Sequence, residues 1–136
     1  MLNSVDLHEA IYHQLVDLIP GLHGLEGNLK IDGTPTLFVA IARTGPNKAI
    51  VTLWHQETIR SDRLLFLPKI EIAVDLIEMR AWAISYLDAF RSHSFEHTET
   101  SHDTDRKLLD TFVVKWLLVL IEYGYSFQSD DEVQTP

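Results

Sequence analysis

The sequence predicts an α+β fold, in which an antiparallel sheet of about five strands, a meander, packs against an N-terminal helix and a long C-terminal helix. Three patterns support this prediction: helical apolar spacing near the N-terminus, strand-like alternation over residues 28–56, and a long apolar helix that ends at Gly124. We expect a single globular domain over residues 1–128. The acidic, aromatic-free tail over residues 129–136 is expected to be disordered.

The first helix is predicted from its start signal and its apolar spacing. Asp6 followed by Glu9 resembles a capping box, in which an acidic side chain reaches back to the start of the helix. The apolar residues that recur at helical spacing are Leu7, Ile11, Leu15 and Leu18. Pro20 and Gly21 then end the helix, because neither residue continues it readily.

The meander is predicted from alternating apolar residues that are interrupted by turn formers. Residues 28–31 are short and strand-like, and Asp32-Gly33 is a tight-turn signal. A second turn is expected within residues 43–48, which are rich in turn-forming types. The apolar residues that share one strand face are Leu37, Val39 and Ile41 before that turn, and Val51 and Leu53 after it.

The stretch over residues 70–90 fits two interpretations. As two strands, it places Ile70, Ile72, Val74 and Leu76 on one face and turns near Glu78-Met79. As a helix, it forms an apolar stripe through Ile70, Val74, Ile77, Ala81, Ile84 and Leu87. The Ala, Leu, Glu and Met content of this stretch favours the helix, and so does the lack of Gly or Asn at the proposed turn. Periodicity alone leaves both structures open.

The C-terminal helix is apolar on nearly every side. Asp103 or Thr104 caps its start, and Gly124 is the expected residue just after its end. Its wide apolar face comprises Leu108, Leu109, Phe112, Val113, Trp116, Leu117, Leu120 and Ile121. Such a helix is covered either twice within its domain or once there and once by a partner. We therefore predict that some of Trp116, Val119, Leu120 and Tyr123 contact a partner; the alternative is that the N-terminal helix covers them.

The order of elements resembles the YqiB-like family of small uncharacterised bacterial proteins. The residues that carry this resemblance are Asp105-Arg106-Lys107, Phe112, Trp116-Leu117 and Gly124 near the C-terminus, with Leu67-Pro68 and Ile19-Pro20 earlier in the chain. The resemblance implies two strands rather than a helix for residues 70–90, and we adopt that prediction. The resemblance implies no activity for this chain, because the family is uncharacterised and has no assigned activity.

Composition excludes several classes of function. The formal net charge of −9 over 136 residues argues against binding to nucleic acid or to an anionic membrane surface. The absence of cysteine excludes disulfides, thiolate nucleophiles and iron–sulfur clusters, and is consistent with a reducing compartment. No signal peptide is recognised, and the apolar run Val113–Ile121 is too short to span a bilayer. We expect a cytoplasmic protein.

The segment His93-Ser-Phe-Glu-His97 matches the H-x-x-E-H pattern of a family of zinc hydrolases. On a helix, His93 and His97 would lie one turn apart, with Glu96 beside them as a base for a metal-bound water. The flanking serines and threonines favour extended or loop structure instead. A strand would separate the two histidines by roughly 13 Å, which is too far for one ion. A coincidental match on a polar strand end is the favoured interpretation.

Two further groups have ordinary structural explanations. Trp54 and His55 end a strand, where they either rim a pocket or pack at the sheet edge, and packing is favoured. Glu71, Asp75 and Glu78 supply closely spaced carboxylates, which a solvated strand face explains. No nucleophile elbow, P-loop or dinucleotide-binding motif is present, so no cofactor is expected.

These observations predict a non-catalytic protein- or ligand-binding adaptor module in the bacterial cytoplasm. Its partner is expected to be another protein or a second copy of the chain, and the class of any small-molecule ligand is left open. The alternative is a small metal-dependent hydrolase that uses His93, Glu96 and His97. The sequence leaves open whether the chain catalyses a reaction, although its features favour a protein without catalytic activity.

Overall fold

The fold is an α+β arrangement of two helices and one antiparallel sheet. A computed structural model describes residues 4–33, 36–55, 69–87, 92–94 and 104–128. In chain order the elements are α1 (Ser4–Leu18), a 3-10 turn (Leu22–Gly24), β1 (Gly27–Ile31), β2 (Leu37–Gly45), β3 (Lys48–His55), β4 (Lys69–Asp75), β5 (Arg80–Leu87), β6 (Ser92–Ser94) and α2 (Thr104–Glu122). The predicted tail over residues 129–136 lies outside the described residues.

The six strands form one sheet in the order β1-β2-β3-β4-β5-β6, and every neighbouring pair is antiparallel. The predicted meander is therefore confirmed, with a sixth strand of only three residues at the end. A turn at Pro46 and Asn47 joins β2 to β3, inside the predicted turn at residues 43–48. Short connections of this kind keep strands that are close in sequence adjacent in the sheet.

Of the stretch over residues 70–90, the described part (70–87) forms two strands, as the family resemblance implied. The turn between β4 and β5 is made without Gly or Asn. Its first residues are held by Asp75, whose Oδ1 accepts hydrogen bonds from the backbone N–H groups of Ile77 (3.1 Å) and Glu78 (3.0 Å). Met79 then adopts a left-handed backbone conformation with φ 58°. The missing turn residues had favoured a helix, and this local hydrogen bonding explains why a hairpin forms instead.

Both helices pack on one face of the sheet, here called the inner face. Its core contains side chains from α1, from the strands and from α2, such as Leu15, Val51, Ile72 and Leu117, each with no measurable exposure. Complete burial of one such side chain contributes on the order of 1.5–3 kcal/mol to the free energy of unfolding. This shared core fixes α1 and α2 beside each other.

The helix ends agree with the sequence in part. α1 begins at Ser4, so Asp6 lies within the first turn and is not the cap that the sequence suggested. Gly124 has φ 91°, as expected for the residue after α2. Two backbone hydrogen bonds complete this end: Gly124 N–H donates to Ile121 (3.0 Å), and Tyr125 N–H donates to Leu120 (3.1 Å). This pair of bonds is a Schellman motif, which satisfies the last carbonyl groups of a helix.

The chain after α2 closes one end of the core. Tyr125 is 7% exposed, and its ring occupies the space beside Gly33. A Cβ atom built on Gly33 would lie 2.1 Å from Cε1 of Tyr125, so any other residue at this position would displace the Tyr125 ring. Two residues on, the backbone N–H of Phe127 donates to the carbonyl of Leu18 at 2.8 Å. The ends of α1 and α2 are thereby joined.

Candidate functional site

α2 is covered on one side by its own domain. Val113, Leu117 and Leu120 point into the core, and Gln14 of α1 donates a hydrogen bond to the carbonyl of Val114 at 3.1 Å. The N-terminal helix therefore contacts α2 at Val114. The opposite side of α2 is the first candidate surface.

That opposite side carries an exposed apolar stripe, here called the outer stripe. Its members and their exposed fractions are Leu108 (63%), Phe112 (39%), Leu118 (46%), Val119 (46%) and Tyr123 (80%). Leu108, Phe112, Val119 and Tyr123 are separated by four or seven residues, so they lie on one helix face, and Leu118 lies at the edge of that face beside Val119. Lys115 and Glu122 are exposed on the same face. Contiguous apolar side chains with charged neighbours are typical of a surface that binds a partner.

The structure separates the four residues that the sequence placed at a partner contact. Val119 and Tyr123 lie on the outer stripe. Leu120 is 4% exposed and belongs to the core, which leaves it little surface to offer a partner. Trp116 is half-buried, with its ring 6.0 Å from that of His55 in an edge-on arrangement. The sequence prediction missed Leu108 as a surface residue, although its spacing from Phe112 and Val119 was a usable signal.

A buried polar cluster joins α1, α2 and β5. Nε2 of His8 lies 3.2 Å from Oδ2 of Asp110, and each residue is 1% exposed. The other carboxylate oxygen of Asp110 accepts the backbone N–H of Ala83 at 2.8 Å. The strand register shifts beside Ala83 and leaves Ile84 as an extra residue in β5, which forms a β-bulge. Asp110 thus satisfies a backbone donor at an irregular point of the sheet.

His8 and Asp110 are residue types that can form a catalytic acid–base pair, but in this cluster they are not accessible to a substrate. An ionised carboxylate only accepts hydrogen bonds, so the pair requires hydrogen on Nε2 of His8. The Trp82 ring lies 5.7 Å from the imidazole. Because both polar side chains are 1% exposed, a substrate cannot reach them without local unfolding. The arrangement is a structural link between three elements.

Of the carboxylates that the sequence singled out, Glu71 and Asp75 make separate local contacts in the described part of the chain. Glu71 accepts a hydrogen bond from Oγ of Ser85 at 2.6 Å, while Asp75 holds the β4–β5 turn. His93 lies in the strand β6, not in the helix that the zinc pattern needs, and Glu96 and His97 lie outside the described residues. Within the part of the chain that the structure describes, no three His, Asp or Glu side chains are placed to hold a metal ion.

The face of the sheet opposite to the helices, here called the outer face, is the second candidate surface. One row of directly opposed residues crosses four strands: Lys30 in β1, Phe38 in β2, Trp54 in β3 and Lys69 in β4. The two aromatic rings stack with centroids 5.8 Å apart and planes 18° apart. The ammonium group of Lys30 lies 5.9 Å from the Phe38 ring, and that of Lys69 lies 5.4 Å from the Trp54 ring.

The outer face is basic in an acidic protein. Among the described residues, alternation along β1 to β5 places four cationic side chains and two carboxylates on it: Lys30, Lys48, Lys69 and Arg80 against Glu71 and Asp75. Both carboxylates already accept hydrogen bonds, Glu71 from a side chain and Asp75 from the backbone. Among the described residues, neither Lys30 nor Lys69 takes part in an ion pair. The local charge therefore favours an anionic ligand.

A cavity of about 300 Å³ opens beside the aromatic rings. It is lined by Asn28, Leu29, Lys30, Phe38, Val39 and Trp54. Trp54 thus rims a cavity, which the sequence analysis considered but did not favour. His55, the next residue, points to the inner face, where its ring lies 5.7 Å from that of Tyr125.

Comparison with known proteins adds no assignment to these surfaces. No protein-family model matches the chain, and no curated protein or solved structure matches it either. Membership of the YqiB-like family stays a prediction. None of the helices in the described ranges is both long enough and apolar enough to cross a bilayer.

Proposed function

We propose that this chain is a non-catalytic binding module that uses the outer stripe of α2 as its protein-binding surface. The observation that supports this proposal is the exposure of five large apolar side chains on one face of a helix whose other face is already buried in the core. Burial of a fully exposed side chain of this kind gains on the order of 1.5–3 kcal/mol, and these partly exposed side chains gain a share of that when a partner covers them. No step of a reaction is part of this proposal.

The partner that we propose is a second copy of the chain, because the stripe is complementary to itself. Lys115 and Glu122 are exposed and lie two helical turns apart, with Leu118 and Val119 between them. In an antiparallel pair of α2 helices, a two-fold axis between Leu118 and Val119 brings each Lys115 to Glu122 of the second copy. The same axis places the apolar side chains against each other. A two-fold interface of this kind requires self-complementarity.

Sedimentation analysis over a wide concentration range tests the proposal. A single helix pair is a small interface, so we expect a reversible dimer with a dissociation constant on the order of micromolar. Leu118→Glu places two like charges at the two-fold axis and should leave a monomer. Ile77→Glu is the matched control, because Ile77 is 62% exposed and lies on the β4–β5 turn, not on the outer stripe. A wild-type chain that stays monomeric up to millimolar concentration would contradict the proposal.

Charge exchange tests the proposed register directly. Lys115→Glu should weaken the dimer, because it opposes Glu122 of the second copy with a like charge. Adding Glu122→Lys to that variant should restore association, since each pair is then attractive again. If the double variant remains as weak as the single one, the antiparallel register is wrong, even if the chain dimerises.

Location in the bacterial cytoplasm belongs to the same proposal. The chain contains no cysteine, so its stability depends on no disulfide and no oxidising compartment. Fractionation of the producing cell, with antibody detection of the chain, tests this location. Recovery of the chain from the periplasm or from the medium would contradict it.

A further inference from the structure

A second binding site lies on the outer face of the sheet, away from α2. We propose that the cavity beside Phe38 and Trp54 binds a small planar aromatic molecule that carries one carboxylate. This site is independent of dimer formation, because the outer stripe and the outer face lie on different elements. Three properties of the cavity lead to this ligand: its aromatic wall, its polar donors and its volume.

The aromatic wall favours a flat ring. Phe38 and Trp54 are opposed in register on β2 and β3, are half-buried, and stack at 5.8 Å. Their position on two hydrogen-bonded strands fixes the rings without a partner, so a ligand ring meets a prepared surface. Aromatic rings interact favourably with each other in offset-stacked or edge-to-face geometry.

The polar groups favour a single anionic acceptor. The ammonium of Lys30 and the amide of Asn28 line the cavity from the edge strand β1, and none of its lining residues is acidic. Lys30 and Asn28 lie two residues apart on one strand, so both side chains stand on the outer face. A carboxylate on the ligand would accept charge-assisted hydrogen bonds from Lys30 and ordinary ones from Asn28.

Size and charge limit the ligand to a small molecule. A volume of about 300 Å³ is at the lower end of small-molecule sites, enough for one or two fused rings. A polyanion such as single-stranded nucleic acid would also find aromatic rings and lysines here. The net charge of −9 on the chain repels a polyanion. A ligand with a single carboxylate is attracted by the nearby lysines and is repelled only weakly by the net charge of the chain.

The test is titration of the full chain with 2-naphthoate, followed by backbone amide resonances in two-dimensional NMR spectra. We expect saturable shifts centred on Asn28, Lys30, Phe38 and Trp54. Two analogues separate the contributions: 2-naphthalenemethanol keeps the rings without the charge, and cyclohexanecarboxylate keeps the charge without an aromatic ring. Each analogue should bind at least about tenfold more weakly than 2-naphthoate.

The chain offers a matched pair of lysine variants. Lys30→Ala should weaken 2-naphthoate binding about tenfold or more, because Lys30 lines the cavity. Lys69→Ala removes the same charge from the same row of the same face, but Lys69 lies on the far side of Trp54 and does not line the cavity. The affinity of the Lys69→Ala variant for 2-naphthoate should stay within about twofold of the wild-type affinity. Phe38→Leu, which keeps an apolar side chain, should weaken binding severalfold.

Three results would overturn this proposal. The first is the absence of saturable shifts up to millimolar 2-naphthoate. The second is equal loss of affinity in Lys30→Ala and Lys69→Ala, which would indicate general electrostatics in place of a defined site. The third is equal binding of 2-naphthoate and its neutral analogue. Thermal unfolding of each variant shows whether it is folded. Sedimentation of the monomeric Leu118→Glu variant with 2-naphthoate shows whether the ligand binds when no dimer forms. This experiment therefore separates failure of the outer-face site from failure of the proposed dimer.

Discussion

Replacement of Asp110 by alanine should be among the most destabilising single changes in this chain. Asp110 is 1% exposed and accepts two hydrogen bonds, from Nε2 of His8 and from the backbone N–H of Ala83. Its removal leaves both donors buried without this acceptor. An unsatisfied buried donor costs on the order of 1–3 kcal/mol, so two donors that lose the same acceptor cost about 2–6 kcal/mol.

We therefore expect Asp110→Ala to lower the free energy of unfolding by about 2–6 kcal/mol. Domains of ordinary size have about 5–15 kcal/mol in total, so the variant would lose a large fraction of its stability. Urea unfolding, followed by circular dichroism and by tryptophan fluorescence, measures this change. Coincident transitions from the two probes would confirm that two-state values are valid.

Asp110→Asn is the matched control. Asparagine keeps a carbonyl oxygen for the N–H of Ala83 and presents an amide donor to His8, which can accept on Nε2 in its other neutral tautomer. We expect this variant to lose about 1–2 kcal/mol at most. A loss below about 1 kcal/mol in Asp110→Ala itself would refute the reasoning, because it would mean that water or another group satisfies both donors.

Two further predictions concern the ends of the core. Gly33→Ala should lower the free energy of unfolding by about 1–3 kcal/mol, because the new Cβ would overlap the ring of Tyr125. Gly24→Ala is the control, because a Cβ added there meets nothing within 4 Å, and it should lower the free energy of unfolding far less in the same urea assay. Burial raises the pKa of the Tyr12 phenol, so its ionisation should occur above the ordinary range in an ultraviolet titration that is compared with Tyr12→Phe. A folded-state pKa above that of the unfolded chain stabilises the fold at lower pH, and this contribution is lost as the pH rises through the alkaline range.

The strand elements were predictable because their signals are local. Alternation over residues 28–56 needs only the chain itself to be recognised, and β1, β2 and β3 follow it. The β4–β5 hairpin was not predictable from periodicity, since its turn depends on Asp75 bonding two backbone N–H groups. Such bonds form only once the hairpin exists, and their sequence signal is a single aspartate.

The candidate surfaces were predictable only in part. The sequence shows that α2 is apolar all round, but which side faces the core depends on how α1 and the sheet meet it. That is why Leu120 and Val119, adjacent in sequence, are separated by the structure into core and surface. The row through Phe38 and Trp54 depends on cross-strand register, which alternation does not determine. Asp110 lies within an apolar helix, and the sequence gave no sign of the two donors that it binds, His8 and the backbone N–H of Ala83.

The contact between the first and last helices has a consequence for synthesis. His8 and Asp110 are 102 residues apart in the chain, while every strand pair is formed by neighbours in sequence. On the ribosome the meander can therefore pair progressively as it emerges, at low cost in loop entropy. The apolar face of α1, made first, lacks half of its cover until α2 follows. The nascent chain thus exposes apolar side chains of α1 until α2 (Thr104–Glu122) has left the ribosome and can pack against them.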